Sequence, residues 1–99
     1  MEKAQWLLAQ SLIETAIRMN KDGLNVGMAG NVSVRYDQGF LITPSAMSYD
    51  RLMPEDIVYM EMDGKVNSRR KPSSEWRFHR DILAAKPEVH AVVHTHSPY

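Results

Sequence analysis

The chain has 99 residues, 43% of them hydrophobic and 24% charged, which is the composition of one folded globular domain rather than of a disordered or fibrous segment. Twelve basic residues balance twelve acidic ones, so no global field gathers nucleic acid or anionic lipid, and any anion site must be local. The absence of cysteine excludes a disulfide framework and a thiolate zinc site and fits a reducing compartment, with the cytoplasm as the expected location.

The start, Met1-Glu2-Lys3-Ala4-Gln5, has neither the basic region nor the apolar run of a signal peptide, and no stretch has the length of a membrane span. From Glu2 to about Asn20, Trp6, Leu7, Leu12, Ile13, Ala16 and Ile17 recur at three- and four-residue spacing. That spacing predicts an amphipathic helix with its stripe in the core, stopped at Gly23. Gly27-Met28-Ala29-Gly30-Asn31 then leads into Val32-Ser33-Val34-Arg35-Tyr36, a strict alternation that predicts a strand. Asp37-Gln38-Gly39 turns it into Phe40–Thr43, forming a β-hairpin closed by Pro44. Met47 to Asp56 is expected to be a loop with a short helical turn at Pro54-Glu55-Asp56. Ile57–Met62 predicts a third strand, turned at Asp63-Gly64 into Lys65-Val66.

Arg69-Arg70-Lys71 is the one basic cluster, and without interleaved aromatic residues it is expected to be a solvated loop rather than a nucleic-acid stripe. Behind Pro72, a helix is predicted over 73–85, with Ser73 or Ser74 as N-cap and Trp76, Ile82 and Leu83 inward. After Pro87, Val89-His90-Ala91-Val92-Val93-His94-Thr95-His96 alternates as a strand. The seven methionines and two tryptophans are expected to fill the core. Strands and helices interleave without repeats or a linker. The whole of 1–99 is therefore expected to form one layered α/β/α unit on a mixed, largely antiparallel sheet.

Strand periodicity places His94 and His96 on one face with Cα atoms roughly 6.5–7 Å apart, within reach of one metal ion, and Glu75 lies nineteen residues upstream as a carboxylate partner. His90, about 13 Å along the strand from His94, is too far to share that ion and is expected at the surface. His79, one helical turn after Glu75, is expected to support the helix or orient the carboxylate rather than ligate. Three polar segments at element boundaries, Gly30-Asn31, Thr43-Pro44-Ser45-Ala46 and Ser73-Ser74, supply the donors of an anion site. Each alone has an ordinary explanation as a turn or a cap, and the weight lies in the set.

Ala29-Gly30-Asn31-Val32-Ser33-Val34-Arg35, Leu41-Ile42-Thr43-Pro44-Ser45, Pro72-Ser73-Ser74-Glu75-Trp76-Arg77-Phe78-His79 and Ala91-Val92-Val93-His94-Thr95-His96-Ser97 together resemble the N-terminal half of the class II aldolase and adducin-head family. The Ser-Ser-Glu-Trp-Arg-Phe-His stretch is most similar to the L-fuculose-1-phosphate aldolase branch; epimerases of the family usually carry Asp where Glu75 stands. The resemblance implies that Gly30, Asn31, Ser45, the Ala46 backbone, Ser73 and Ser74 hold a substrate phosphate, that His94 and His96 bind zinc, and that Glu75 lies on the metal and acts as acid/base. It implies cleavage of a ketose 1-phosphate to dihydroxyacetone phosphate and an aldehyde such as L-lactaldehyde, through a metal-stabilised enediolate. A sugar-phosphate epimerase or dehydratase, and a non-catalytic adducin-like interaction module, are the alternatives.

Two departures stand out. The family commonly has Gly at the position of Ala46, which matters if that backbone needs a positive φ. The family chain is about twice as long and supplies a third zinc histidine and a C-terminal tyrosine from beyond these residues. Family enzymes are homotetramers with the site at a subunit interface. The 99 residues are therefore expected to be an incomplete piece, inactive alone, with Val89, Ala91 and Val93 on an apolar surface that needs a partner.

Overall fold

The computed structural model describes residues 2–23 and 30–95. Helix α1 spans Lys3–Lys21 and ends as its sequence dictates: Asp22 and Gly23 N–H groups donate to the carbonyls of Arg18 and Asn20, and Gly23 takes φ 74°. A residue without Cβ adopts that left-handed turn at little cost. The buried stripe is Ala9, Leu12, Ile13, Ala16 and Met19. It runs one position away from part of the expected one, because Trp6, Leu7 and Ile17 are exposed. Trp6 is thus not core filler.

Among the described residues four strands follow: β1 (Asn31–Tyr36), β2 (Gly39–Ile42), β3 (Val58–Glu61) and β4 (Ala91–His94), in the spatial order β3-β2-β1-β4. All three pairings are antiparallel. Asp37, at φ 52°, turns β1 into β2. A Cβ on Gly39 would lie 2.0 Å from the Met60 carbonyl oxygen, so the residue that opens β2 against β3 has to be glycine. After β3, Gly64 at φ 95° turns the chain back, and Lys65-Val66 makes only a single bridge, Met60 with Val66. Between β2 and β3 the loop holds two single 3-10 turns, Tyr49–Arg51 and Pro54–Asp56.

Side chains of a strand alternate between faces, and both faces of this sheet are covered. Val32 and Leu41 pack with α1, Tyr49, Leu52 and Ile57 on one side. Phe40, Ile42, Val58, Met60 and Val92 pack with Leu83 of helix α2 (Trp76–Ala85) on the other, where Trp76 and Ile82 also lean. The chain is therefore a layered α/β/α unit, as expected from its sequence. Val89 joins this second cluster rather than the open surface. Ala91 and Val93 point to the α1 side and are exposed, Val93 by half.

Two polar devices tie the layers together. The Arg35 guanidinium, on β1, donates to the carbonyls of Leu83, Lys86 and Val89 at 2.7–3.2 Å. A cation among the last carbonyls of α2 is well placed against the helix dipole and fixes where β4 begins. Asp56, itself buried, accepts from Arg69 at 2.9 Å, from Arg70 at 3.0 Å and from the Met53 N–H at 3.1 Å. Burial raises the Asp56 pKa, but these donors outweigh it and hold the carboxyl below the ordinary range. The basic cluster is thus not merely a solvated loop. Arg69 and Arg70 anchor the segment that leads into Ser73.

Candidate functional site

Backbone hydrogen bonds bring the three polar boundary segments into one place. Thr43 N–H donates to Val32 O, Ser73 N–H to Thr43 O, and Ser45 N–H to Lys71 O, at 3.0–3.1 Å. The start of β1, the exit of β2 and the approach to α2 thereby share one end of the sheet. There a cavity of about 180 Å³ is lined by Gly30, Asn31, Pro44, Ser45, Ala46, Ser73, Ser74 and Glu75. All six residues singled out as anion holders line it. None of the eight is basic, so an anion placed there would be met by amide, hydroxyl and backbone donors.

The Ser73-Ser74-Glu75 segment is not the first turn of the helix. Helix α2 starts at Trp76 with Glu75 at the N-cap. Ser73 forms a turn of its own, its Oγ accepting the Glu75 N–H at 3.2 Å and its carbonyl the Trp76 N–H at 3.1 Å. The expected start at Ser73 is three residues early because serine satisfies the backbone locally. Ala46 takes φ 58°, so the position does need the conformation that glycine adopts freely. An L-residue there costs about 1–2 kcal/mol, more than the 0.4–1 kcal/mol that a glycine adds to the unfolded chain's entropy. Ala46→Gly is therefore expected to stabilise the fold, by about 0.5–1 kcal/mol in denaturant titration.

Glu75 joins this cavity to β4. Asn31 and His94 are register partners across β1 and β4, so their side chains share the α2 face of the sheet. The Asn31 amide Nδ2 donates to Glu75 Oε1 at 3.1 Å, and His94 Nδ1 lies 3.0 Å from Glu75 Oε2. Glu75 and His94 keep 33% and 25% of their side-chain surface open, so both are reachable from solvent. Phe78, on α2, lies against the His94 ring at 4.7 Å between centroids. His96 and Gly27–Ala29 lie outside the described residues. Among the described residues no group of three or more His, Cys, Asp or Glu gathers as a metal cage.

Two further residues complete the arrangement. His79 is fully buried between α2 and the sheet, its Nδ1 2.6 Å from Ser33 Oγ and its Nε2 bonded to Asn31 Oδ1. Burial, reinforced by the charge of His94 and opposed by Glu75, pulls its pKa down to about 4. Tyr49, also buried, donates its hydroxyl to the Gly30 carbonyl. Burial pushes that hydroxyl up to about 12, against a hydrogen bond with Thr43 that lowers it and with the Glu75 charge that raises it. Tyr49 stands in a stretch read only as loop, and no sequence signal marks it. His79 is visible only as one turn beyond Glu75; His90 is exposed, as expected.

The model of the class II aldolase and adducin N-terminal domain matches residues 10–99. The chain belongs to this family. Among curated relatives, a 5-methylthioribulose-1-phosphate/5-deoxyribulose-1-phosphate aldolase of Rhodospirillum rubrum is 53% identical over 92 residues, covering 93% of this chain and 42% of that protein. An L-fuculose phosphate aldolase of Haemophilus influenzae is 51% identical over 90 residues, again 42% of its length. A solved L-fuculose 1-phosphate aldolase superposes with a TM-score of 0.85 at 34% identity, over 92% of this chain and 44% of that one. The Thermus thermophilus L-fuculose-1-phosphate aldolase gives 0.78 at 31%, over 91% and 46%. The chain thus spans less than half the length of these members of the family. No described helix is long and apolar enough to cross a membrane.

Proposed function

We propose that the whole protein is a zinc-dependent aldolase that cleaves a ketose 1-phosphate to dihydroxyacetone phosphate and an aldehyde. The observation that carries this reading is that one residue, Glu75, both lines the anion-sized cavity and faces His94 at 3.0 Å. A phosphate in the cavity would be met by Asn31, Ser45, Ser73, Ser74 and the backbone at Gly30 and Ala46. Binding the non-reacting phosphate fixes which carbon meets the carboxylate, and that orientation is a large part of the rate. Glu75 would then act as base toward that carbon in synthesis and as acid in cleavage.

The donor set fits a divalent metal. An imidazole nitrogen and a carboxylate oxygen 3.0 Å apart can serve one ion together, with His96 as the sequence candidate for a third donor and a further histidine expected from the rest of the protein. A zinc ion held there would supply Lewis acidity toward negative charge developing on the substrate. A scaffold has no use for a histidine-carboxylate pair beside an anion cavity, which speaks against an adducin-like module. Glu rather than Asp at position 75 favours cleavage over epimerisation.

L-fuculose 1-phosphate, giving L-lactaldehyde, is the first candidate substrate. The Rhodospirillum rubrum relative supports a second, a 5-deoxy- or 5-methylthio-ribulose 1-phosphate, which shares the phosphate-bearing half and differs in the aldehyde half. The working form is proposed to be a cytoplasmic homotetramer. Calorimetric titration of the 99-residue chain with zinc is expected to show weak binding, on the order of micromolar or weaker, because only two of the expected histidines are in this chain and they are helped only by Glu75. Replacing His94 and His96 together by Ala should abolish it; submicromolar binding that survives the double substitution would place the metal elsewhere.

A further inference from the structure

His79 is used by nothing in the mechanism above, yet it is one of the most deeply buried side chains and both its ring nitrogens are engaged. Its protonation can be deduced from its neighbours. A carboxylate only accepts hydrogen bonds, so Asn31 must present its NH2 group to Glu75 Oε1. The Asn31 oxygen then faces His79 Nε2 and must be given a proton. Nε2 therefore carries the hydrogen; in the neutral ring that full burial favours, Nδ1 is bare and accepts the Ser33 hydroxyl proton across 2.6 Å. The polarity of this row, Ser33 to His79 to Asn31 to Glu75, is set from end to end.

We propose that His79, as the neutral Nε2–H tautomer, is a positioning residue: it locks the Asn31 amide so that its NH2 group faces Glu75 and the anion cavity, and so holds the carboxylate beside His94. An asparagine amide can rotate by half a turn at little steric cost. Flipped, it would set its oxygen against the Glu75 carboxylate and lose the donor. The Nε2–H of His79, fixed by the covering helix, makes only one orientation favourable, and the Ser33 hydroxyl keeps the tautomer. The catalytic part of this inference rests on Glu75 being the proton-transfer group.

The test has an arm that does not depend on activity. Long-range ¹H–¹⁵N correlation spectra of the wild-type protein should show His79 as the neutral Nε2–H tautomer at neutral pH; the Nδ1–H tautomer or an imidazolium would overturn the inference. In the whole enzyme, assayed well below each variant's unfolding midpoint, His79→Leu should lower kcat by about 10-fold or more with a smaller change in KM. His79→Gln, which returns an N–H near the Nε2 position, should restore kcat to within about 3-fold of wild type although it no longer accepts from Ser33. In an Asn31→Ala background, where no amide remains to be oriented, His79→Leu should cost nothing further. A merely structural role predicts the opposite pattern: Leu and Gln both lowering stability, kcat unchanged or unrescued by Gln, and losses that multiply with Asn31→Ala. If His79→Leu does not fold, the tautomer and the Gln variant still decide. Should the wild-type enzyme show no aldol cleavage, the proposed function falls, while the tautomer measurement still judges the inference.

Discussion

Glu75→Gln in the whole enzyme is expected to lower kcat by about 10²-fold or more while leaving phosphate-ligand binding intact. The geometry makes this substitution a conservative one in shape. The new amide can keep its oxygen toward the Asn31 NH2 group, 3.1 Å from the present carboxylate oxygen, and turn its own NH2 group toward His94 Nδ1. Shape and hydrogen bonding are retained, while the capacity to take up a proton and the carboxylate's hold on a metal ion are lost, so bound zinc is measured beside the kinetics. Steady-state kinetics alongside titration with inorganic phosphate separates the two effects. Near-normal turnover would remove Glu75 from the mechanism. Glu75→Asp probes the epimerase alternative, because it withdraws the carboxylate by one methylene without removing it; gain of epimerisation with loss of cleavage would locate the branch difference at this residue.

The second large effect concerns acid. His79 has a pKa of about 4 when folded, against about 6.5 in an unfolded chain. Between those values the unfolded state binds a proton that the native state refuses, so stability rises with pH across the window. The contribution is fully present above pH 6.5 and is lost as pH falls toward 4, by roughly 3 kcal/mol in all. Asp56, whose carboxyl is held below the ordinary range, acts the other side of this window: its stabilisation is lost only as pH falls below about 4. Denaturant titrations at pH 7 and pH 4.5 measure the loss. His79→Gln, with nothing to titrate at that position, should show a much shallower dependence, and an equal slope in both proteins would contradict the assignment.

The fold was legible where one periodicity decided it. The Gly23 stop of α1, the β1–β2 hairpin around Asp37 and the interleaving of helices with strands all follow from local pattern. The Val32-Ser33-Val34-Arg35 alternation misleads in one respect: it suggests polar residues facing water, whereas α2 covers that face. Ser33 and Asn31 are buried there against His79, and Arg35 reaches the carbonyls at the end of α2. A polar residue on a strand looks the same in sequence whether water or a buried histidine satisfies it. The cavity-lining residues could be named because polar segments recur at three element ends and the family resemblance groups them, although each alone is an ordinary turn or cap. What joins them, Asp56 pinned by Arg69 and Arg70 and Tyr49 bracing Gly30, depends on contacts between distant residues. Those leave no periodic trace.

The most direct test of the central proposal is retro-aldol cleavage by the whole protein in the presence of zinc, with L-fuculose 1-phosphate and 5-deoxyribulose 1-phosphate offered separately and dihydroxyacetone phosphate measured as the common product. Release of dihydroxyacetone phosphate from at least one of them, abolished by a chelator and by His94→Ala, is the expected result. Epimerisation or dehydration without carbon–carbon cleavage, or cleavage that survives both treatments, would contradict it.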